Sequence, residues 1–209
     1  MRGIAAGVIA AGLLAAQAAY AATPSPIPLL RPPGAGEPDR FGARCIRCGR
    51  CLEACPYQAI HAVPFDGARE ATTPYLDARA QACRLCEDFP CAAACPTGAL
   101  EMPPERARAA MGVAVINEDT CLSFQGMRCE VCYRACPLID EAIVIDYRQR
   151  EGDDIHAVFA PQVIDDSCAG CGLCEQRCPV SDPAPAILVV PTGADEAAYV
   201  AQRNGEATS

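Results

Sequence analysis

The chain contains no tryptophan, no lysine and only two histidines. Aromatic residues make up just 5% of its 209 positions, so large rings cannot supply the core. Hydrophobic residues reach 51%, but many of them are alanine and cysteine. Something other than apolar packing must stabilise the fold, and metal centres often do so in small domains. All the positive charge is arginine and the net charge is -9. That balance argues against nucleic acid or anionic lipid as the main partner. His61 and His156 are isolated, so no paired-histidine Rieske site forms from sequence neighbours. No C-x-x-C precedes a histidine, no G-x-G-x-x-G follows a strand, and no nucleophile-elbow or zinc-protease motif occurs. With no residue poised for acid–base or nucleophilic work, an independent enzyme is the poorest reading.

What the chain has in excess is cysteine, sixteen in all. None lies outside four groups. The last cysteines of the groups, Cys55, Cys95, Cys136 and Cys178, are 40, 41 and 42 residues apart, and proline follows each. A period of this size means one supersecondary unit used four times. Short apolar strands are predicted around the groups, at 59–63, 112–116, 142–145, 157–164 and 186–190, and no long amphipathic helix is predicted.

Organisation outside the repeats is simpler. An apolar run from Ile4 to Ala21, preceded by Arg2 and ending in Ala19-Tyr20-Ala21, predicts a signal sequence over 1–22. A retained membrane anchor is the alternative. Both place the body outside the cytoplasm. A proline-rich linker over 23–39 is expected to be extended chain rather than packed structure. The repeats fill 40–191, and a polar tail is expected over 192–209.

The first group is Cys45, Cys48, Cys51 and Cys55, and the fourth is Cys168, Cys171, Cys174 and Cys178. Both follow C-x2-C-x2-C-x3-C-P, the bacterial ferredoxin spacing for a [4Fe–4S] cluster. The second, Cys83, Cys86, Cys91 and Cys95, has two extra residues in its middle gap. The third, Cys121, Cys129, Cys132 and Cys136, opens with a seven-residue gap. Three cysteines in a tight loop can wrap one face of a cubane, while the fourth points away and ligates a neighbouring cluster. Zinc prefers paired C-x2-C knuckles, and cysteines two apart rarely bridge as disulfides, so neither alternative matches four quartets ending in Cys-Pro. The long gap leaves Cys121 open to a second reading, as a spectator beside a three-cysteine site.

The expected fold is α+β and ferredoxin-like: two double-[4Fe–4S] modules built from four repeats of about 40 residues. Because the first and fourth groups share one spacing, the expected pairing is nested, first with fourth and second with third. Pairing in chain order is the alternative. All sixteen cysteines are the expected iron ligands, holding four [4Fe–4S] clusters. The first group carries a formal +3 over 40–56 and the fourth a formal -2 over 165–179, so the first cluster is expected to have the higher potential.

Several stretches resemble the NapG/MauM family of ferredoxin-type proteins. They include Leu30 to Ala35 (LRPPGA), Cys45 to Tyr57 (CIRCGRCLEACPY), Thr73-Pro74-Tyr75, Cys86-Glu87-Asp88, Cys95 to Leu100 (CPTGAL) and Cys121 to Ile139 (CLSFQGMRCEVCYRACPLI). The last is the most specific, because its long gap is the family's own, and it supports Cys121 as a ligand. The resemblance, closer to the nitrate branch, implies a periplasmic protein at the membrane surface. It implies electron relay from a membrane-bound iron–sulfur quinol dehydrogenase towards a periplasmic nitrate reductase or its cytochrome c relay. An accessory or maturation ferredoxin of methylamine dehydrogenase, or an electron-transfer subunit of a molybdenum oxidoreductase complex, are the alternatives. Relatives carry a twin-arginine leader, whereas only Arg2 precedes the apolar run here, so a start codon upstream of Met1 is expected.

Overall fold

The computed structural model of the protein describes residues 28–65, 70–150 and 152–205. The expected leader over 1–22 lies outside the described residues. Among those described, no helix is long and apolar enough to cross a membrane.

Every cysteine group is followed or preceded by a strand, and the strands pair into three antiparallel two-stranded ribbons. Strands β1 (Ile60–Ala62) and β2 (Pro74–Leu76) join the first group to the second. Strands β4 (Ile143–Arg150) and β5 (Asp153–Val163) join the third to the fourth in the same way. Strand β3 (Gly112–Ile116) enters the third group and pairs with β6 (Ile187–Pro191), which leaves the fourth. All five residues of β6 are buried. A helix of four or five residues sits inside each group: α2 (Arg50–Glu53), α3 (Pro90–Ala93), α4 (Val131–Ala135) and α5 (Leu173–Arg177). Helix α2 packs on α3, and α4 on α5. Helix α1 (Pro38–Arg44) precedes the first group. The five predicted strands are present, with β4 longer than the predicted 142–145, and β2 is an addition.

One expectation is corrected. The linker is packed at its C-terminal end. Pro32 and Pro33 are fully buried, and Leu30, Arg31 and Ala35 are nearly so. The main chain of this segment bonds to both edges of the first half, with Leu76 N–H donating to Leu30 O and Glu101 N–H to Gly34 O, each at 2.8 Å. It thus stands where β3 stands in the second half. Proline suits that place because an edge segment needs few N–H donors. Arg31 is tied in by Thr73 Oγ1 (2.9 Å), the Pro74 carbonyl (2.8 Å) and Glu70 (2.7 Å), with its guanidinium over the Phe41 ring. The polar tail is also structured, as helix α6 (Glu196–Arg203), N-capped by Asp195 accepting from Ala198 N–H. It buries Tyr199, and its last arginine pairs with Glu175, a long-range contact that local polarity does not reveal.

The core is as thin in large side chains as the composition implies. Phe41, Leu85 and Val189 are its largest fully buried apolar residues, apart from the prolines, and alanines and cysteines fill much of the rest.

Candidate metal centre

The cysteine loops wind the same way because left-handed residues recur in them. The residue before the second cysteine has positive φ in three groups, at Arg47 (58°), Leu85 (55°) and Gly170 (70°). So does the residue two before the third cysteine, at Gly49 (77°), Phe89 (39°) and Gly172 (83°). Non-glycine residues tolerate this conformation at a cost, so the winding is imposed by the loop rather than by local preference. In those three groups it turns three thiols to one side.

The fourth thiol comes from elsewhere. Cys55 lines a small cavity with Cys83, Cys86 and Cys91, walled by Ile60, Leu76 and Phe89. Cys178 lines a similar cavity with Cys121, Cys129 and Cys132, walled by Ile116, Val131 and Ile187. Cys95 lines a third with Cys45, Cys48 and Cys51. Cys136 lies in electrostatic range of Cys168 and Cys171, the group that also includes Cys174. Each pocket is named here for the group that supplies three of its cysteines. The expected nested pairing is therefore overturned: the first group exchanges its last cysteine with the second, and the third with the fourth. The hairpins β1–β2 and β4–β5 explain it, since each folds one group back onto the next with a short loop to close. Shared spacing between the first and fourth groups carries no information about which loops meet.

Cys121 belongs to its pocket despite the long gap. Residues 122–128 close on themselves, with Gln125 N–H donating to Cys121 O at 3.1 Å and Met127 N–H to Leu122 O at 2.9 Å. The buried hydroxyl of Ser123 donates to Cys129 O at 2.7 Å and pins the loop. Sequence reasoning missed Ser123, whose only signal is a hydroxyl inside the insertion. His61 packs its ring near Tyr75, at 5.9 Å between centroids.

Electrostatics fit a cationic group in these pockets. Burial, reinforced by neighbouring thiolates, pushes the thiols of Cys51, Cys83, Cys132 and Cys171 up to about 12 and Cys91 to about 11. Burial likewise raises the Cys174 thiol well above its ordinary value. Thiolates so placed need a compensating charge. Burial also pushes Cys95 up, but amide and Thr97 hydroxyl donors outweigh it and hold that thiol below its ordinary value. Main-chain N–H groups of Ala59, Leu85 and Leu100 each donate to a cysteine sulfur at 3.4 Å. Among the described residues no three His, Cys, Asp or Glu side chains converge tightly enough to hold a single ion. Sulfur-only donors spread around a cavity with apolar walls suit an iron–sulfur cluster, and amide donors to sulfur tune such a group.

Residues 44–99, 82–138 and 125–181 each match the 4Fe-4S dicluster domain family. The chain is 46% identical over 161 residues to the ferredoxin-type protein NapG of Escherichia coli, covering 76% of this chain and 70% of that protein. The chain belongs to the NapG/MauM family of ferredoxin-type proteins. NapG of Haemophilus influenzae is 47% identical over 162 residues, 76% of this chain but only 58% of that protein. The methylamine utilization ferredoxin-type protein MauM of Methylophilus methylotrophus is 43% identical, over 77% of this chain and 70% of that one. As a ferredoxin-type protein of this family, the chain is an iron–sulfur electron-transfer protein with [4Fe–4S] centres.

Proposed function

We propose that this chain holds four [4Fe–4S] clusters in two double-cluster modules and carries electrons from a membrane-bound iron–sulfur quinol dehydrogenase towards a periplasmic nitrate reductase or its cytochrome c relay. The observation that supports it best is the exchange of cysteines: in three pockets three thiols of one group meet the last thiol of its neighbour, and Cys136 lies near Cys168 and Cys171 of the fourth group. All sixteen cysteines are ligands on this reading. Each cluster, when bound, accepts and releases one electron. The residues do the rest. The loops fix the thiols, Ala59, Leu85 and Leu100 donate to sulfur, and apolar walls shield the second and third pockets from water. No side chain acts on a substrate, so the chain works as a non-catalytic component, at the periplasmic face of the membrane.

Anaerobic purification with iron, sulfide and EPR quantitation tests the cluster content. About sixteen irons and sixteen sulfides per chain are expected. Near eight irons, or bound zinc, would refute the four-cluster reading. Deletion of the gene tests the pathway: quinol-dependent nitrate reduction should fall while methylamine oxidation stays unchanged. The reverse would favour the methylamine role, which the 43% identity to a MauM protein keeps as the second reading.

A further inference from the structure

The two halves touch where Gly193 packs against Pro38 and, through hydrogen bonds, along one stretch of each. In the first half this is the segment 77–83, which runs from β2 into the second group. In the second half it is the fourth group, 171–178. Cys83 N–H donates to Cys171 O at 3.0 Å. Arg79 reaches across and donates through one nitrogen to the carbonyls of Glu175 (2.7 Å) and Cys178 (3.0 Å). Gln176 Nε2 donates back to Ala80 O at 3.0 Å. Ala78 packs so closely that a Cβ on Gly172 would stand 2.5 Å from its own Cβ. Ala78, Ala82, Cys83 and Cys171 are all buried.

We propose that this contact, with Arg79 as its positioning residue, is the electronic junction between the halves, so that the four pockets form one row in the order first, second, fourth, third. The inference rests on the four-cluster reading. Its argument is connectivity. Within each half, α2 packs on α3 and α4 on α5, which puts first beside second and third beside fourth. Across the halves, among the described residues, the second and fourth pockets are the ones whose cysteines are joined through main chain. From the Cys83 thiol to the Cys171 thiol the path is covalent except for one hydrogen bond of 3.0 Å. Electron transfer falls steeply with distance and with each gap through space, so a bonded path between two ligands outweighs longer routes. Arg79 touches no ligand sulfur. Its part is to hold three carbonyls at the end of α5 against the segment that carries Cys83.

The order has a consequence for the ends. The first and third pockets lie at opposite ends of the row. At the first, Cys48 is the one cysteine of the sixteen that is exposed, beside Ile46 at 62% exposure. At the third, Met127 and Val131 are exposed. The second and fourth pockets, at the centre, exchange electrons mainly with each other and with their own half.

The test uses the full, anaerobically loaded chain. Arg79→Gln, and separately Ala78→Leu, loosen the junction without altering a ligand. Rapid freeze-quench EPR after addition of one electron equivalent of dithionite reads how fast the two halves equilibrate. EPR of the fully reduced protein reads magnetic coupling between neighbouring clusters. The expected result is an unchanged iron content, at least fivefold slower equilibration, weakened coupling across the junction, and recovery towards the parent in Arg79→Lys. Unchanged coupling and a rate within twofold of the parent, with iron retained in either variant, would overturn the junction while leaving the four-cluster reading intact. About eight irons in the parent would instead bring down that reading, and the inference with it.

Discussion

The carboxylate of Glu175, 2% exposed, is held 2.8 Å from the guanidinium of Arg203. The same carboxylate accepts the main-chain N–H of Val189 at 2.8 Å, so it ties α6 and β6 to α5, the helix that carries Cys174. Burial pushes this carboxyl up, while Val189 N–H and Arg203 pull it down. Arg203→Ala leaves the buried charge with a single donor, and a loss of roughly 1–2 kcal/mol is expected because Arg203 itself is partly solvated. Thermal unfolding of the loaded protein checks it, and an unchanged midpoint would show that α6 contributes nothing.

Cys55 and Cys83 serve one pocket, so their variants should damage one signal. Cys55→Ala and Cys83→Ala are expected to remove or alter the same EPR component. Cys168→Ala is expected to alter a different one, shared with Cys136→Ala. If Cys55→Ala and Cys168→Ala altered the same component, the nested pairing would return and the observed arrangement would be wrong.

Gln58 and Gly98 hold the same position after their Cys-Pro pairs, with φ of 53° and 65°. Only glycine adopts this region without cost. Gln58→Gly should therefore stabilise the loaded protein by up to about 1 kcal/mol, and Gly98→Ala should destabilise it by about as much. Denaturant midpoints measured under anaerobic conditions decide the matter. A loss of stability in Gln58→Gly would mean that contacts of the glutamine side chain outweigh the strain.

Thiols that keep their protons to about 12 set a pH dependence for loading. The unliganded pocket binds protons and the iron-bound pocket does not, so protons compete with iron. Loading should strengthen as pH rises and weaken as it falls. Competition with an iron chelator at about pH 6.5 and about pH 8.5 measures this. Stronger loading at the lower pH would contradict the burial argument.

Positive charge near the first pocket should raise its reduction potential, because reduction adds an electron to an anionic group. The structure tempers the formal +3: Arg40 and Arg44 both engage Glu101. Arg47, inside the loop between Cys45 and Cys48, is the sharper probe. In a redox titration of Arg47→Gln, the component of the first pocket is expected to move to lower potential, more at low salt than at high salt. No movement at low salt would remove the electrostatic argument.

How much was legible in the sequence follows from which interactions are local. The cysteine spacing, the Cys-Pro stops and the period of about 40 residues are properties of one repeat at a time, so the cysteine loops and the strands flanking them could be read directly. The thin core was equally plain from the lack of tryptophan and the shortage of other rings. The partner of each group was not legible, because pairing depends on which hairpin folds back on which, and β2, opening on Pro74, does not read as a strand. Nor was the burial of Leu30 to Ala35, whose prolines look like linker until Gly34 is seen bonded to Glu101. The contact of Arg79 with Glu175 and Cys178 spans nearly a hundred positions, and no local pattern marks an arginine as a clamp. Sequence by itself determined that sixteen thiols would be presented in four like loops, since loop winding is set within a few residues. Only the tertiary structure decided which thiols share a pocket and where the halves meet, since both are settled by packing between segments far apart in the chain.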